Sequence, residues 1–380
     1  MTTTLSVIVD PMLTNATDGI GRYTEELTRE LIQVAPPGCS VEAIVSSSSV
    51  DDYARLHTLL PGLGRLAKGR LNHKQQSALW RYGFGSIRGK GMVHATSLLA
   101  PLSKHDRLNN EADQIVVTIH DVAAWTHPEL LDSRNAARQK ALARRAHRFA
   151  DAVVVPTHSV ASQLGEIMNF GDRIRVIGGA VSSKLLLPVD ADDRAARLGL
   201  PPRYILSIGA PDARKGIPAL IASLAHPESA DLPLLIAGPG GAADVDAATL
   251  AAEAGLAKDR VRTLGFLADA DLAVALNRAT VFAFPSIVEG FGLPLVEAFH
   301  FGAPVVHSDE PAVLEVSAGA GIAVPRDDEA GYPGRLAGAI AEVAGNPELA
   351  ERLHFQGLDR ARAFSWSDSA HKVWQLHADL

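Results

Sequence analysis

"SIVEGFGLPLVEAFHFGAPVV", residues Ser286 to Val306, sets two glutamates on either side of a run suited to starting a helix. Just before it, "VFAFPS" (281–286) is a short apolar run of strand composition, and "PVVHSD" (304–309) overlapping its end is another. A strand, a turn containing Gly290 and Gly292, a helix that Pro294 can begin and Gly302 can end, and a second strand make one β-α-β unit. Proline suits the first turn because its missing N–H would have no partner inside the helix. The two glycines let the backbone turn and come close to a ligand without a Cβ clash. The N–H groups around Phe291 to Leu293 then form a cradle for an anion.

The same alternation runs through the chain. "LSVIV", "VEAIV", "IVVTI", "AVVVP" and "IRVIG" in the first half, then "YILSIG", "LPLLIAG" and "VRTLGF" before the opening unit, are separated by helical patterns rich in Ala, Leu and Arg. Short Val- and Ile-rich strands of this kind predict parallel sheets covered by helices on both faces. A chain of 380 residues exceeds one ordinary core. The segment "LLLPVDADDRAARLGLPPRY" interrupts the pattern with Pro188, Asp190, Asp192, Asp193 and Pro201-Pro202, which puts a hinge at 187–202. The predicted fold is therefore α/β: two Rossmann-like, doubly wound parallel-sheet domains, 1–190 and 200–365, facing an interdomain cleft onto which the carboxyl ends of both sheets open. The tail "FSWSDSAHKVWQLHADL" predicts a helix over 366–380, capped by Ser365 or Ser367, with Val373, Leu376 and Leu380 on one face.

Composition excludes several classes. Hydrophobic residues at 47% and charged residues at 21% are those of a globular protein. The single cysteine, Cys39, allows neither an intramolecular disulfide nor a cysteine-rich zinc site and fits a reducing compartment. "MTTTLSVIVDPML" has no basic leader, and no apolar run reaches the roughly 18 residues of a membrane span, so a cytoplasmic location is expected. The net charge of -7 argues against nucleic acid as a partner. Charge is uneven, however: between Asp52 and Asp106 there is no acid, while Arg55, Arg65, Lys68, Arg70, Lys74, Arg81, Arg88, Lys90 and Lys104 occur together with Trp80, Tyr82 and Phe84. Two readings stand for this 55–104 stretch, a solvated face on loops and helices or a surface meeting an anionic membrane or a negatively charged acceptor.

The residues that carry chemistry cluster in the second half. Arg214 and Lys215 fall where strand "YILSIG" gives way to the helical run "IPALIASLA", so two cations and a helix N-terminus would meet a phosphate there. Glu289 lies before the helix of the opening unit and Glu297 about a turn inside it. Ionised carboxylates only accept hydrogen bonds, which suits the vicinal hydroxyls of sugars. One would hold the transferred sugar and the other a ribose diol, with a diphosphate between them. A sugar nucleotide has these parts in this order.

"EGFGLPLVE" resembles the E-x7-E motif of the retaining GT-B glycosyltransferases of family 4, the group that includes sucrose and glycogen synthase relatives and bacterial mannosyltransferases. The resemblance extends over nearly the whole chain. "GIGRYTEEL" (Gly19 to Leu27) is similar to that family's glycine loop and first helix, and "VTIHDVAAWTHPEL" to its strand ending in His-Asp. "ADAVVVPTHSVASQL" resembles the last helix-strand unit of its first domain, "ILSIGAPDARKG" its phosphate-binding loop, and "FSWSDSA" the start of a tail helix that packs back onto the first domain. The resemblance implies that Glu289 contacts the donor sugar, Glu297 the nucleotide ribose, and Arg214 with Lys215 the diphosphate. It also implies backbone contacts from Gly290, Phe291, Gly292 and Leu293, a position for His120 beside the donor sugar at the reaction centre, and an approach of Gly21 to the phosphate. Phe266 to Ala268 would lie near the base. One departure is Ala210, where many relatives have Arg, so that Arg214 would have to substitute.

The activity so implied is retaining transfer of a hexose, mannose being the best match, from a nucleoside-diphosphate sugar to a glycan or lipid-linked acceptor. GDP-mannose is favoured over a UDP-sugar by "GIGRYTEEL" and "IHD", and neither a cofactor nor a metal is expected, because Arg, Lys and helix dipoles can stabilise the leaving diphosphate. Contact with the inner face of an anionic membrane remains the second reading of the basic stretch. The Asp-x-Asp pairs at Asp190/Asp192, Asp244/Asp246 and Asp269/Asp271 sit in linker or helix-start positions and read as ordinary acidic loops, and "GPGG" (238–241) as a turn. A GT-B-fold sugar-nucleotide epimerase and a non-catalytic sugar-nucleotide-binding protein are the alternatives, while an NAD oxidoreductase lacks its dinucleotide fingerprint here.

Overall fold

The strand runs of the sequence become two parallel sheets in the computed structural model, which describes residues 3–14, 19–84, 91–105, 109–110, 112–210, 213–238 and 246–380. The chain divides into one unit of residues 1–179 with 365–380 and a second of residues 180–364. The first holds β1 (Thr3–Ile8), β2 (Cys39–Ser47), β3 (Arg65–Asn72), β4 (Met92–Ala95), β5 (Gln114–Thr118), β6 (Ala152–Val155) and β7 (Ile174–Val176) in the order β3-β2-β1-β4-β5-β6-β7. The second holds β8 (Ile205–Ile208), β9 (Leu234–Ala237), β10 (Val261–Gly265), β11 (Val281–Phe284), β12 (Val305–Ser308) and β13 (Ile322–Val324) in the order β10-β9-β8-β11-β12-β13. Every pairing in both sheets is parallel. Each sheet reverses its strand order once, between β1 and β4 and between β8 and β11, and these are the places where an open α/β sheet parts at its carboxyl edge.

The period of two in β11 shows why these segments are strands. Val281 and Ala283 join the core on one face with Ile205, Ile217, Leu220 and Leu336, while Phe282 and Phe284 join Leu295, Phe299 and Tyr204 on the other. Burying each phenylalanine contributes about 1.5–3 kcal/mol, so the strand is anchored from both sides. In the first unit Ile8, Val93, Val117 and Val153 form a comparable layer with Trp80. Of the three aromatic residues in the basic stretch, Trp80 is therefore core, whereas Tyr82 and Phe84 stand out in solvent. The same stretch also contains β3, a strand where loops and helices were expected. Among the described residues "RLAKGRLN" pairs with β2 alone, at the sheet edge, where exposed cations discourage further strand addition.

The helix Trp366–Asp379 is capped by Ser365, whose hydroxyl accepts from Asp368 N–H. It packs within the first unit, with Trp374 Nε1 donating to the Leu31 carbonyl at 3.1 Å and Ser369 Oγ to that of Gly178 at 2.9 Å. Among the described residues no helix is long and apolar enough to cross a membrane.

Candidate functional site

In the second unit the strand-order reversal brings the loop after β8 against the segment after β11. Lys215, from the first, places Nζ 2.5 Å from Glu289 Oε1, from the second. The lysine stem lies over Gly209, where a Cβ would come within 3.1 Å of Lys215 Cγ. Burial alone would raise the pKa of the Glu289 carboxyl, but the charges of Lys215 and Arg214 outweigh it and hold the group below its ordinary value. A buried carboxylate is thus kept ionised beside two cations at the carboxyl edge of the sheet.

The backbone beneath this pair is held from several sides. Gly216 adopts φ +67°, and a Cβ on it would meet the Pro285 carbonyl oxygen at 2.0 Å, so only glycine lets the two segments approach this closely. Ile287 N–H donates to the Arg214 carbonyl at 2.9 Å, and Tyr332 Oη to that of Pro285 at 3.3 Å. Ser308 Oγ, at the end of β12, donates to the Ser286 carbonyl at 2.6 Å. Arg326, just after β13, pairs with Asp309 at 2.7 Å and donates to the Ile287 carbonyl. Four strand ends therefore fix the segment that carries Glu289, and a site on such rigid elements keeps its geometry.

The helix expected from Pro294 runs Leu293–His300, with Pro294 in its first turn and Gly292 at its N-cap in the left-handed region, φ +85°. Gly302 follows its end at φ +67°. Phe291 is buried and meets Phe364 edge-on, with ring centroids 5.5 Å apart, and Gly290 is buried before it. Glu297 is 3% exposed on the inner side of the helix. The run from Glu289 to Glu297 is therefore part of the packed interior, with partial exposure only at Leu293 and Pro294. Phe266, after β10, is exposed.

Glu310 adds a residue that motif reading did not single out. It follows β12, is 3% exposed, and caps the helix Pro311–Ser317 by accepting from Val313 N–H at 2.9 Å. Burial pushes its pKa up to about 7; the Val313 hydrogen bond opposes this and the Glu289 charge reinforces it. A carboxyl whose folded value lies above its unfolded one takes up a proton on folding. Stability should therefore be lost as pH rises from the unfolded carboxyl range near 4.5 to about 7, and be flat beyond. Glu310→Gln keeps an oxygen for the cap and removes the titration. Its unfolding free energy relative to the parent should rise by about 2–3 kcal/mol across that window, as read from urea midpoints at several pH values. A constant difference across the window would rule the proton uptake out.

The first unit brings together a second group. His120 follows β5, and its Nε2–H donates to the Thr96 carbonyl at 2.8 Å at the end of β4. Thr96 Oγ1 lies 2.7 Å from Thr24 Oγ1, on the helix Gly19–Gln33 that also carries Gly21 in its first turn. Tyr23 on that helix stands edge-on to the His120 ring, centroids 4.9 Å apart, and burial pushes the phenol's pKa up, so it stays neutral. Asp121, the other half of the His-Asp pair, accepts from Ala123 N–H at 3.0 Å. Tyr23, Thr96, Asp309, Glu310 and Arg326 were not singled out in the sequence. An acid directly behind a strand, as at "PVVHSDE", was a signal that could have found two of them.

The acidic pairs are engaged in helix packing. Arg194 binds Asp190 and Asp271, each at 2.8 Å, and Arg278 binds Asp192. Asp244 and residues 239–241 lie outside the described residues, as do Arg88 and Lys90. Asp246 caps the helix Ala247–Glu253. Among the described residues no cluster of three metal-ligating side chains occurs.

Residues 17–184 match the family described as Glycosyltransferase Family 4, and residues 189–357 the family Glycosyl transferases group 1. The chain is 29% identical over 380 aligned residues to O-antigen chain mannosyltransferase B of Escherichia coli, covering 92% of this chain and 93% of that one. It is 34% identical over 198 residues to the phosphatidyl-myo-inositol mannosyltransferase of Mycobacterium leprae, 50% of each. Among solved structures, sucrose-phosphate synthase of Thermosynechococcus elongatus aligns with TM-score 0.71 at 24% identity over 99% of this chain and 98% of its own. The HepE protein of Anabaena in complex with UDP-glucose aligns with TM-score 0.72 at 15% identity over 99% and 100%. These structural likenesses concern the fold.

Proposed function

We propose that this chain, whose residues 17–184 and 189–357 match the family 4 and group 1 glycosyltransferases, is a retaining GT-B hexosyltransferase taking mannose from GDP-mannose to a glycan or lipid-linked acceptor. The observation that carries the reading is the Lys215–Glu289 pair, a buried carboxylate on a partly buried lysine, at the strand-order reversal of the second unit. Its lysine, with Arg214, supplies positive charge for a diphosphate, and its carboxylate accepts from sugar hydroxyls. Glu297, eight residues on, is the acceptor proposed for the ribose diol. The similarity to mannosyltransferases of Escherichia coli and Mycobacterium leprae supports mannose as the sugar.

In the proposed step the acceptor hydroxyl attacks the anomeric carbon on the face from which the diphosphate departs. The bond from that carbon to the phosphate oxygen breaks, the new glycosidic bond forms, and the hydroxyl proton passes to the leaving phosphate. Neither an enzyme nucleophile nor a metal takes part, because Lys215, Arg214 and the backbone N–H groups near Gly292 meet the charge that develops on the leaving group. His120 is proposed to orient the sugar, held with its Nε2–H on the Thr96 carbonyl.

Thermal unfolding with GDP, UDP, ADP and their sugar conjugates tests the donor. Occupancy at 100 times Kd stabilises by about 2.7 kcal/mol, so GDP and GDP-mannose should raise Tm by several degrees and the others less. A rise with UDP-sugars alone would replace GDP-mannose as the donor. No rise with any nucleotide would remove the donor site.

A further inference from the structure

The helix Ser133–Phe149 in the first unit has six Lys and Arg residues and no acid. Arg134, Arg138 and Arg148 are exposed, and at 100° per residue they share one stripe with the half-buried Arg145. Arg145 is also the link to a second segment. Its guanidinium lies so close to Gly83 that a Cβ there would fall 1.4 Å from a terminal nitrogen, and its Nε donates to the Leu102 carbonyl at 2.7 Å. The arginine stripe thus adjoins the end of the helix His73–Tyr82, where Tyr82 and Phe84 are 67% and 66% exposed. Burial and, after it, the neighbouring charge of Arg148 lower the pKa of Arg145.

We propose that this face, the stripe of Arg134, Arg138, Arg145 and Arg148 beside the exposed rings of Tyr82 and Phe84, docks on the surface of an anionic phospholipid bilayer. Arginines meet lipid phosphates, and two adjoining aromatic rings enter the headgroup layer, where amphipathic rings are at home. Rings that stand in solvent bury their apolar surface in a headgroup layer but not on a soluble sulfated polysaccharide, and the chain's net charge of -7 disfavours nucleic acid as the partner. The basic stretch of the sequence is thereby divided. Trp80 belongs to the core and Arg65 to an edge strand, and residues 81–84 join a helix fifty residues further along.

Co-sedimentation of the full chain with phosphatidylcholine vesicles, with and without phosphatidylglycerol, tests the proposal. The protein should pellet with the anionic vesicles and be released at high salt. Arg138→Ser with Arg148→Ser should weaken binding roughly tenfold or more, since two of the cations that meet the lipid phosphates are lost. Tyr82→Ser with Phe84→Ser should weaken binding as well while leaving its salt dependence in place. All four positions are exposed, and unchanged thermal unfolding of the variants would show that the fold is intact. Equal pelleting on both vesicle types, variants that bind like the parent, or binding to heparin with none to vesicles would each overturn it. Nucleotide binding is not read, so failure here leaves the donor site standing.

Discussion

Glu289→Ala should lower transfer by about a hundred- to a thousandfold while leaving the affinity for nucleoside diphosphate within a few-fold of the parent. The loss is that expected when one preorganised polar group is removed from the reacting centre, and it should fall on kcat, because the proposed contact is with the sugar. Diphosphate binding survives because Lys215 and Arg214 remain. The carboxylate is not in place by chance of packing: it is 9% exposed, ionised against its burial, and seated on a segment held by Gly216, Ser308, Tyr332 and Arg326. Glu289→Gln separates charge from shape, since it preserves the side-chain volume and one acceptor oxygen. Initial rates with saturating GDP-mannose and isothermal titration with GDP supply the two readings. Full turnover in the alanine variant would take the sugar away from this carboxylate.

How far the sequence reaches is clear from individual segments. β11 was legible because "VFAF" carries its own burial on both faces and ends in Pro285, and the helix after it because Gly292, Pro294 and Gly302 mark its ends. β3 was not, since "RLAKGRLN" has no apolar alternation strong enough to outweigh its cations and glycine, and pairing with β2 made it a strand. β4 and β13, "MVHA" and "IAV", are too short to show a period at all. Arg326 was hidden for the same reason, because its place is set by the strand just before it. The juxtaposition of Lys215 with Glu289 spans 74 positions. The sequence puts each residue at the carboxyl end of a strand, but adjacency depends on β11 pairing with β8 rather than with β10, a choice made by the whole sheet. The arginine stripe and the exposed rings are likewise separate features in sequence and one surface in the fold.

Lys215→Ala should weaken nucleoside diphosphate binding by about ten- to a hundredfold, the loss of one charge-assisted contact worth roughly 1.5–3 kcal/mol. It should also destabilise the protein without ligand, for a reason independent of catalysis. Removing the partner of a buried charge leaves it poorly compensated and costs roughly 1–3 kcal/mol where, as here, the lost partner is itself partly exposed, and Glu289 is that charge, with Arg214 and its hydrogen bonds to offset part of the loss. The two effects separate in a double-variant cycle. Adding Glu289→Ala to Lys215→Ala removes the uncompensated charge, so the double variant should recover stability relative to Lys215→Ala while its nucleotide affinity stays low. Glu310 supplies an internal check, because it feels the charge of Glu289: in the double variant its proton uptake should weaken, and stability should fall less between pH 4.5 and 7 than in Lys215→Ala alone. A double variant less stable than either single one, with additive losses, would mean that the pair is not coupled through burial and that Lys215 acts on the nucleotide, if at all, as a surface charge.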